Sequence, residues 1–139
     1  MADFFDSVVY SENDIITFPS GIPGFESIKK FVVVKMAEYE PFEWLVAADG
    51  TKLRFAIINP MLCRPDYAPD LKKGHLDDLG IQKMDDFLMY TIVTIKENPA
   101  DATLNMVGPV VINKTLKIGR QIILEDDTYS TKEPILGKK

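Results

Sequence analysis

A catalytic centre in this chain would have to be built from one thiol, one imidazole and scattered carboxylates, because the sequence holds a single cysteine, Cys63, and a single histidine, His75. Cys63 and His75 brought beside Asp66 would have the parts of a small hydrolytic or ligand-binding site, with a thiolate nucleophile, a base and an orienting acid. Against that, a lone cysteine in an apolar stretch ordinarily serves as a small core residue. One cysteine allows no internal disulfide, and with one histidine it cannot complete a zinc cage of four Cys/His ligands. Asp77-Asp78 and Asp85-Asp86 could meet a hard cation, yet neither has the glycine and terminal glutamate of a calcium loop, so they read as solvated acids. Gly21-Ile22-Pro23-Gly24 spaces its glycines three apart but has no lysine after it, and so is neither a phosphate loop nor a dinucleotide fingerprint. No enzymatic activity, cofactor or metal is expected.

That glycine-proline turn has another use. Pro19, Gly21, Pro23 and Gly24 fix or free four backbone positions around Ile22 and Phe25. A stiff turn of this kind either plugs the end of a barrel with its apolar side chains or presents them outward as an anchor for a partner. The stretch from Asn59-Pro60 to Pro65-Asp66-Tyr67 poses the same choice. Its two prolines deny it regular pairing, which makes it an edge or a loop holding Leu62, Cys63 and Tyr67.

The elements that would carry these turns are strands. Runs rich in Val, Ile, Phe, Tyr and Thr recur about every ten residues between turn signals, a pattern of sandwiches and small barrels. They are Val8 to Tyr10, Ile15 to Phe18, Phe31 to Lys35, Phe42 to Ala47, Leu53 to Ile58, Phe87 to Ile95, Ala102 to Val107, Val110 to Asn113 and Gln121 to Leu124. Leu53, Phe55 and Ile57 alternate with Arg54 and Ala56, so one face of that strand looks toward a core. Phe87 to Ile95 is apolar on both faces and belongs inside the sheet. Asp49-Gly50 predicts a tight hairpin of type I′, and Asn98-Pro99-Ala100-Asp101 a second hairpin. Only His75 to Leu79 reads as a helix, with Gly80 capping it, while the termini, Gly137-Lys138-Lys139 included, are expected to fray. The fold class expected is all-β, a small antiparallel β-barrel-like domain with one or two short helical turns.

With 139 residues, 46% of them apolar and 27% charged, the chain suits one folded domain spanning 1-139. No apolar run approaches the roughly 18 residues of a membrane span. The start Met1-Ala2-Asp3-Phe4-Phe5-Asp6 lacks a signal-peptide pattern, so the cytoplasm is the expected location. A net charge of −5 and a pI near 4.9 argue against direct nucleic-acid binding. The acidity is uneven, with nine acidic against three basic side chains in residues 1–50. Such a field could steer a basic partner, or simply keep the protein soluble.

These segments together resemble the signature of the flagellar assembly factor FliW family. Ile15-Ile16-Thr17-Phe18-Pro19-Ser20-Gly21-Ile22-Pro23-Gly24-Phe25-Glu26 is similar to the family's I-x-F-x-x-G-I-P-G-F stretch. Pro41-Phe42 with Leu45, Asn59-Pro60 with Pro65-Asp66-Tyr67, Val93-Thr94, Ala102 to Asn105, Pro109 to Asn113, Gly119, Gln121, Tyr129 and Pro134 continue the match in order, over roughly residues 8 to 135. Val46-Ala47 stands where the family often has Gln-Ser, and Gly108 where alanine is usual. The resemblance implies a non-catalytic barrel, monomeric when free, with two partners: newly made flagellin and the RNA-binding translational repressor CsrA. When free of flagellin it would bind CsrA and relieve repression of flagellin synthesis. Matched residue by residue, it makes Ile22, Pro23 and Phe25 in the first turn, and Asp66 and Tyr67 in the second, the partner-facing candidates.

Overall fold

Branched and aromatic side chains form the strands, and which face each strand buries follows from what closes over it. The computed structural model describes residues 10–51, 53–82, 87–125 and 127–136. Its strands are β1 (Ile16–Thr17), β2 (Lys30–Lys35), β3 (Glu43–Ala47), β4 (Arg54–Ile58), β5 (Phe87–Thr94), β6 (Thr103–Leu104), β7 (Val110–Asn113), β8 (Ile118–Gln121) and β9 (Glu133–Pro134). The order β4-β3-β2-β1-β8-β7-β5 returns to its start because β5 also pairs with β4, which closes seven strands into a barrel. β6 and β9 extend from β5 as a flap outside the ring.

The all-β barrel expectation holds, with one correction of direction. Every pairing is antiparallel except the seam between β1 and β8, which run parallel at Thr17 and Ile118. Eight of the nine runs read from sequence can be compared with the described strands, since residues 8 and 9 of the first lie outside the described residues and Tyr10 lies in no strand. Gln121 to Leu124 is shifted: the strand there is Ile118–Gln121, and residues 122 to 124 follow it. Short helical turns also exceed the expectation. Besides α1 (Lys73–Asp78), single 3-10 turns occupy Glu12–Asp14, Ala37–Tyr39, Pro60–Leu62 and Pro99–Asp101.

The ring interior is filled by one side chain or more from nearly every strand: Ile16, Phe31, Leu45, Ile57, Tyr90, Val110 and Ile112, with Phe18 and Ile22 entering from the turn after β1. Two further cores cover the outside. Ala56, Ile58 and Val93 pack under Tyr67, Ala102, Leu104 and Met106, so β4 is buried on both faces at its end, not on one. Val111 packs under Leu79, Ile81, Ile122 and Leu124, which gives β7 two covered faces. α1 ends where Gly80 takes φ +69°, with Gly80 N–H donating to Asp77 O and Ile81 N–H to Leu76 O. This pair of bonds satisfies the last carbonyls and folds Ile81 back onto Leu76 in the same core.

β3 and β4 form the expected hairpin, but not through a type I′ turn. Ala47 N–H donates to Leu53 O, so the connection is longer than two residues, and among its described residues only Gly50 has positive φ, at +85°. Asp49 Oδ1 organises it by accepting from the Thr51 amide (3.0 Å) and hydroxyl (2.7 Å), which holds the Asp49 carboxyl below its ordinary value. A Cβ on Gly50 would meet nothing within 4 Å, so substitution there costs only the torsion. Gly50→Val is expected to lose about 1 kcal/mol in a denaturant titration, and Gly50→Asn much less, because asparagine tolerates the left-handed region. Equal midpoints for both variants would remove positive φ as the reason for the glycine.

Candidate protein-binding surface

The first turn is a staple of three successive bends, the first two meeting at Gly21-Ile22. Gly21 N–H donates to Phe18 O at 2.8 Å, Phe25 N–H to Ile22 O at 2.7 Å and Ile28 N–H to Phe25 O at 3.1 Å. Gly21 at φ +66° lies so close to Glu26 that an added Cβ would stand 2.6 Å from Glu26 Cα. Glu26 in turn accepts from Gly24 N–H at 3.1 Å, and this bond draws its carboxyl below the ordinary range. The bends sort the two apolar side chains in opposite directions. Ile22 is 2% exposed and plugs the ring interior, so it is not available to a partner, whereas Pro23 is exposed and Phe25 is 40% exposed with its ring edge-on to Phe55 at 5.5 Å.

The second turn sorts its residues the same way. Asn59 Oδ1 accepts from Met61 N–H and caps the 3-10 turn, burying Pro60 and leaving Met61 and Leu62 at 45% and 61% exposure. Arg64 fastens the stretch to β9 by a 2.7 Å ion pair with Glu133 and by a bond to Pro134 O. Tyr67 is 3% exposed, donates its hydroxyl to Met106 O at 2.7 Å and stacks edge-on to Tyr129 at 4.7 Å, with burial pushing its phenol well above the ordinary value. Tyr67 is therefore a pillar of the outer core and, like Ile22, a correction to the set of partner-facing residues. Asp66 beside it is exposed. Sequence could not separate these pairs, since Ile22 and Phe25, or Asp66 and Tyr67, differ in fate only through which neighbour closes over them.

The two turns do not converge. Phe25 sits on Phe55 near the start of β4 and Asn59 follows its end, four residues on, which at about 3.3 Å per residue separates them by about 13 Å along the strand. The acidic side chains of the first third divide likewise. Glu26 and Asp49 lie at the Phe55 end, and Glu38 and Glu40, in the connection between β2 and β3, at the Asn59 end. These four described acids are therefore not gathered on one face.

The catalytic alternative needs Cys63, His75 and Asp66 together, and among the described residues Cys63 and His75 sit in different surroundings. Cys63 packs against the outer core with Tyr67, and burial pushes its thiol up, away from thiolate. His75 instead lines a hollow with Ser20, Gly21, Pro23, Glu26 and Arg120, its Nδ1 buried and without a hydrogen-bond partner. Among the described residues no hydrogen bond or ion pair joins any two of Cys63, His75 and Asp66, and no three His, Cys, Asp or Glu side chains cluster for a metal. Asp78 is engaged with Arg120 at 3.4 Å; Asp85, Asp86 and residues 137–139 lie outside the described residues. Among the described residues no helix is long and apolar enough to cross a membrane.

What sequence reasoning missed is a cleft. Where β4 ends at Ile58, the wall between β4 and β5 opens into a hollow of about 650 Å³ lined by Asn59, Met61, Leu71, Phe87, Leu88 and Met89. Glu43 and Tyr90 close its inner side, the Tyr90 hydroxyl donating to Glu43 Oε1 at 2.9 Å. Met61, Leu71 and Leu88 are far apart in the chain, and no local pattern marks them as neighbours.

A family model described as FliW protein matches residues 2–135. The flagellar assembly factor FliW of Alkaliphilus metalliredigens (strain QYMF) is 38% identical over 133 residues, covering 95% of this chain and 82% of that protein. The flagellar assembly factor FliW of Moorella thermoacetica is 37% identical over 136 residues, covering 97% and 86%. A crystal structure of the flagellar assembly factor FliW superposes with a TM-score of 0.89 at 34% identity, covering 95% of this chain and 92% of the other.

Proposed function

The chain belongs to the FliW family, and from that premise we propose that it is a non-enzymatic cytoplasmic regulator that binds unassembled flagellin and, when free of it, binds CsrA and lifts its repression of flagellin synthesis. The observation that carries this reading is the match to flagellar assembly factors over nearly the whole chain. The stiff turn that holds Phe25 outward supports it, because an aromatic anchor on a rigid support loses little conformational freedom on binding. The separation of the two turns along β4 favours two surfaces, with Phe25 and Pro23 serving flagellin and Asp66 serving the basic CsrA.

Titration of each purified partner against the chain, alone and with the other present, tests the proposal. Both partners should bind, and flagellin should lower the apparent affinity for CsrA; a folded chain that retains neither partner would end the reading. Phe25→Ala is expected to weaken flagellin binding by about 1–3 kcal/mol while sparing CsrA, and Asp66→Asn to do the reverse. Both side chains are exposed, so circular dichroism should show folded variants. Equal loss of both partners in either variant would mean one shared surface.

Charge makes a kinetic forecast. Association with CsrA should slow as salt rises while dissociation changes less, as for any encounter steered by an acidic protein. The acids are spread over both ends of β4 rather than gathered, so the slope should fall only in part when Glu38 and Glu40 are replaced by glutamine. An association rate independent of ionic strength would leave the acidic excess a matter of solubility.

A further inference from the structure

The cleft beside β5 is bounded by a strand edge that has no partner strand among the described residues. β5 is joined to β7 through residues 87 to 90 and to β4 through residues 91 to 93, without a bulge. In an antiparallel ladder alternate residues point both backbone groups to the same side. Ile92 O accepts from Asn105 N–H, so Ile92 faces β6, and Thr91 and Val93 face β4. The same alternation turns Leu88 and Tyr90 toward β7 and leaves the N–H and C=O of Met89 on the β4 side. β4 would reach them if it continued, but the chain bends away at Pro60, whose carbonyl is already taken by Cys63 and Arg64. Among the described residues β4 pairs with β5 only from Thr91 to Val93, and no turn, loop or side-chain hydrogen bond reaches the Met89 amide or carbonyl. An unpaired strand edge opening on an apolar hollow is the arrangement that accepts an added strand.

We propose that this cleft is a strand-addition site: an extended, uncharged segment of a partner polypeptide pairs with the free edge of β5 at Met89, in the line vacated by β4, and seats alternate apolar side chains against Met61 and Leu71. A polypeptide is the indicated occupant because the unpaired groups are one amide donor and one carbonyl acceptor on the same edge, the pair that an added strand satisfies together at strand spacing. Uncharged sequence is indicated because most of the cleft wall is apolar and its two charged side chains, Lys35 and Glu43, are opposite in sign and directly opposite each other across β2 and β3, Glu43 being engaged by Tyr90 as well. The site is distinct from the Phe25 turn, and it stands whether or not flagellin and CsrA are the partners.

The test is selection of a displayed random octapeptide library on the full chain, followed by amide exchange measured by NMR with one selected peptide, capped at both ends. Recovered peptides should be uncharged and alternate apolar residues. The bound peptide should slow exchange of the Met89 amide at least tenfold and leave that of Leu88, already in the β7 ladder, within about twofold. N-methylating alternate peptide amides should abolish binding in one phase of the alternation and not in the other, which requires no change in the protein. Met89→Pro, which removes the outward N–H together with the Met89 side chain, should lose the peptide while keeping the β-sheet circular dichroism, and Met89→Ala, which keeps the N–H, should retain the peptide. Peptides that leave Met89 exchange unchanged, peptides indifferent to N-methylation in both phases, or no recovered peptide would each overturn the proposal; a misfolded Met89→Pro chain leaves the exchange and methylation results to decide.

Discussion

Gly21→Ala is expected to lower the stability of the chain by about 2–4 kcal/mol, read as a fall in the urea midpoint at unchanged slope. Two costs meet at this residue. The left-handed backbone at φ +66° costs a residue with a side chain about 1–2 kcal/mol. The new Cβ also stands 2.6 Å from Glu26 Cα and 2.7 Å from Glu26 O, which are backbone atoms that cannot rotate away, and overpacking of this kind costs about 1–3 kcal/mol. Gly50 provides the control, since it shares the positive φ and lacks the collision. The difference between Gly21→Ala and Gly50→Ala therefore isolates the steric part. Because Gly21 joins the two bends that set Ile22 inward and Phe25 outward, the variant should also lose the Phe25 anchor. A midpoint shift no larger than at Gly50 would mean that the turn yields easily and is not a rigid support.

Phe18→Ala should cost about 3–5 kcal/mol, the largest effect of a single substitution we expect. Phe18 is fully buried, edge-on to Phe31 at 5.2 Å, and its ring presses on Gly119 of β8 so closely that a Cβ there would lie 2.6 Å from Cζ. The pair works as one unit spanning the parallel seam. Gly119→Ala alone should cost about 1–3 kcal/mol by displacing the ring. In a Phe18→Leu background the same change should cost less, with a coupling energy on the order of 1 kcal/mol in a double-mutant cycle. Strict additivity would show that the ring does not hold the seam.

The same pair explains why one strand was shifted in the reading of the sequence. Ile118-Gly119-Arg120-Gln121 is poor in strand-forming residues, while Gln121 to Leu124 is rich in them. β8 nevertheless uses the former because a ring from a distant element fills the space a side chain would occupy at residue 119. β2, β3, β4, β5 and β7 were legible because their runs of Val, Ile, Phe and Tyr bury side chains on at least one face along most of their length. β9, two residues with a proline, has no local signal at all. Of the candidate surface, the two turns were legible from their prolines and glycines, and the orientation of Ile22 and Tyr67 was not. Burial of those two depends on the barrel mouth and on Met106 and Tyr129, which no spacing within either turn encodes.

The parallel seam has a consequence for how the molecule is made. Thr17 and Ile118 are about a hundred residues apart, so the ring stays open until nearly the whole chain has left the ribosome. At about 5–20 residues per second, Phe31, Leu45 and Ile57 wait several seconds with no wall opposite them. During that interval the nascent sheet carries two free edges and an apolar face, the conditions under which strands from neighbouring chains pair wrongly. Ribosome-bound chains halted before residue 117 should therefore be cleaved readily by protease within β2 to β4, and chains released in full should resist. Closure of the ring thus waits on the last of its strands to be made, β8.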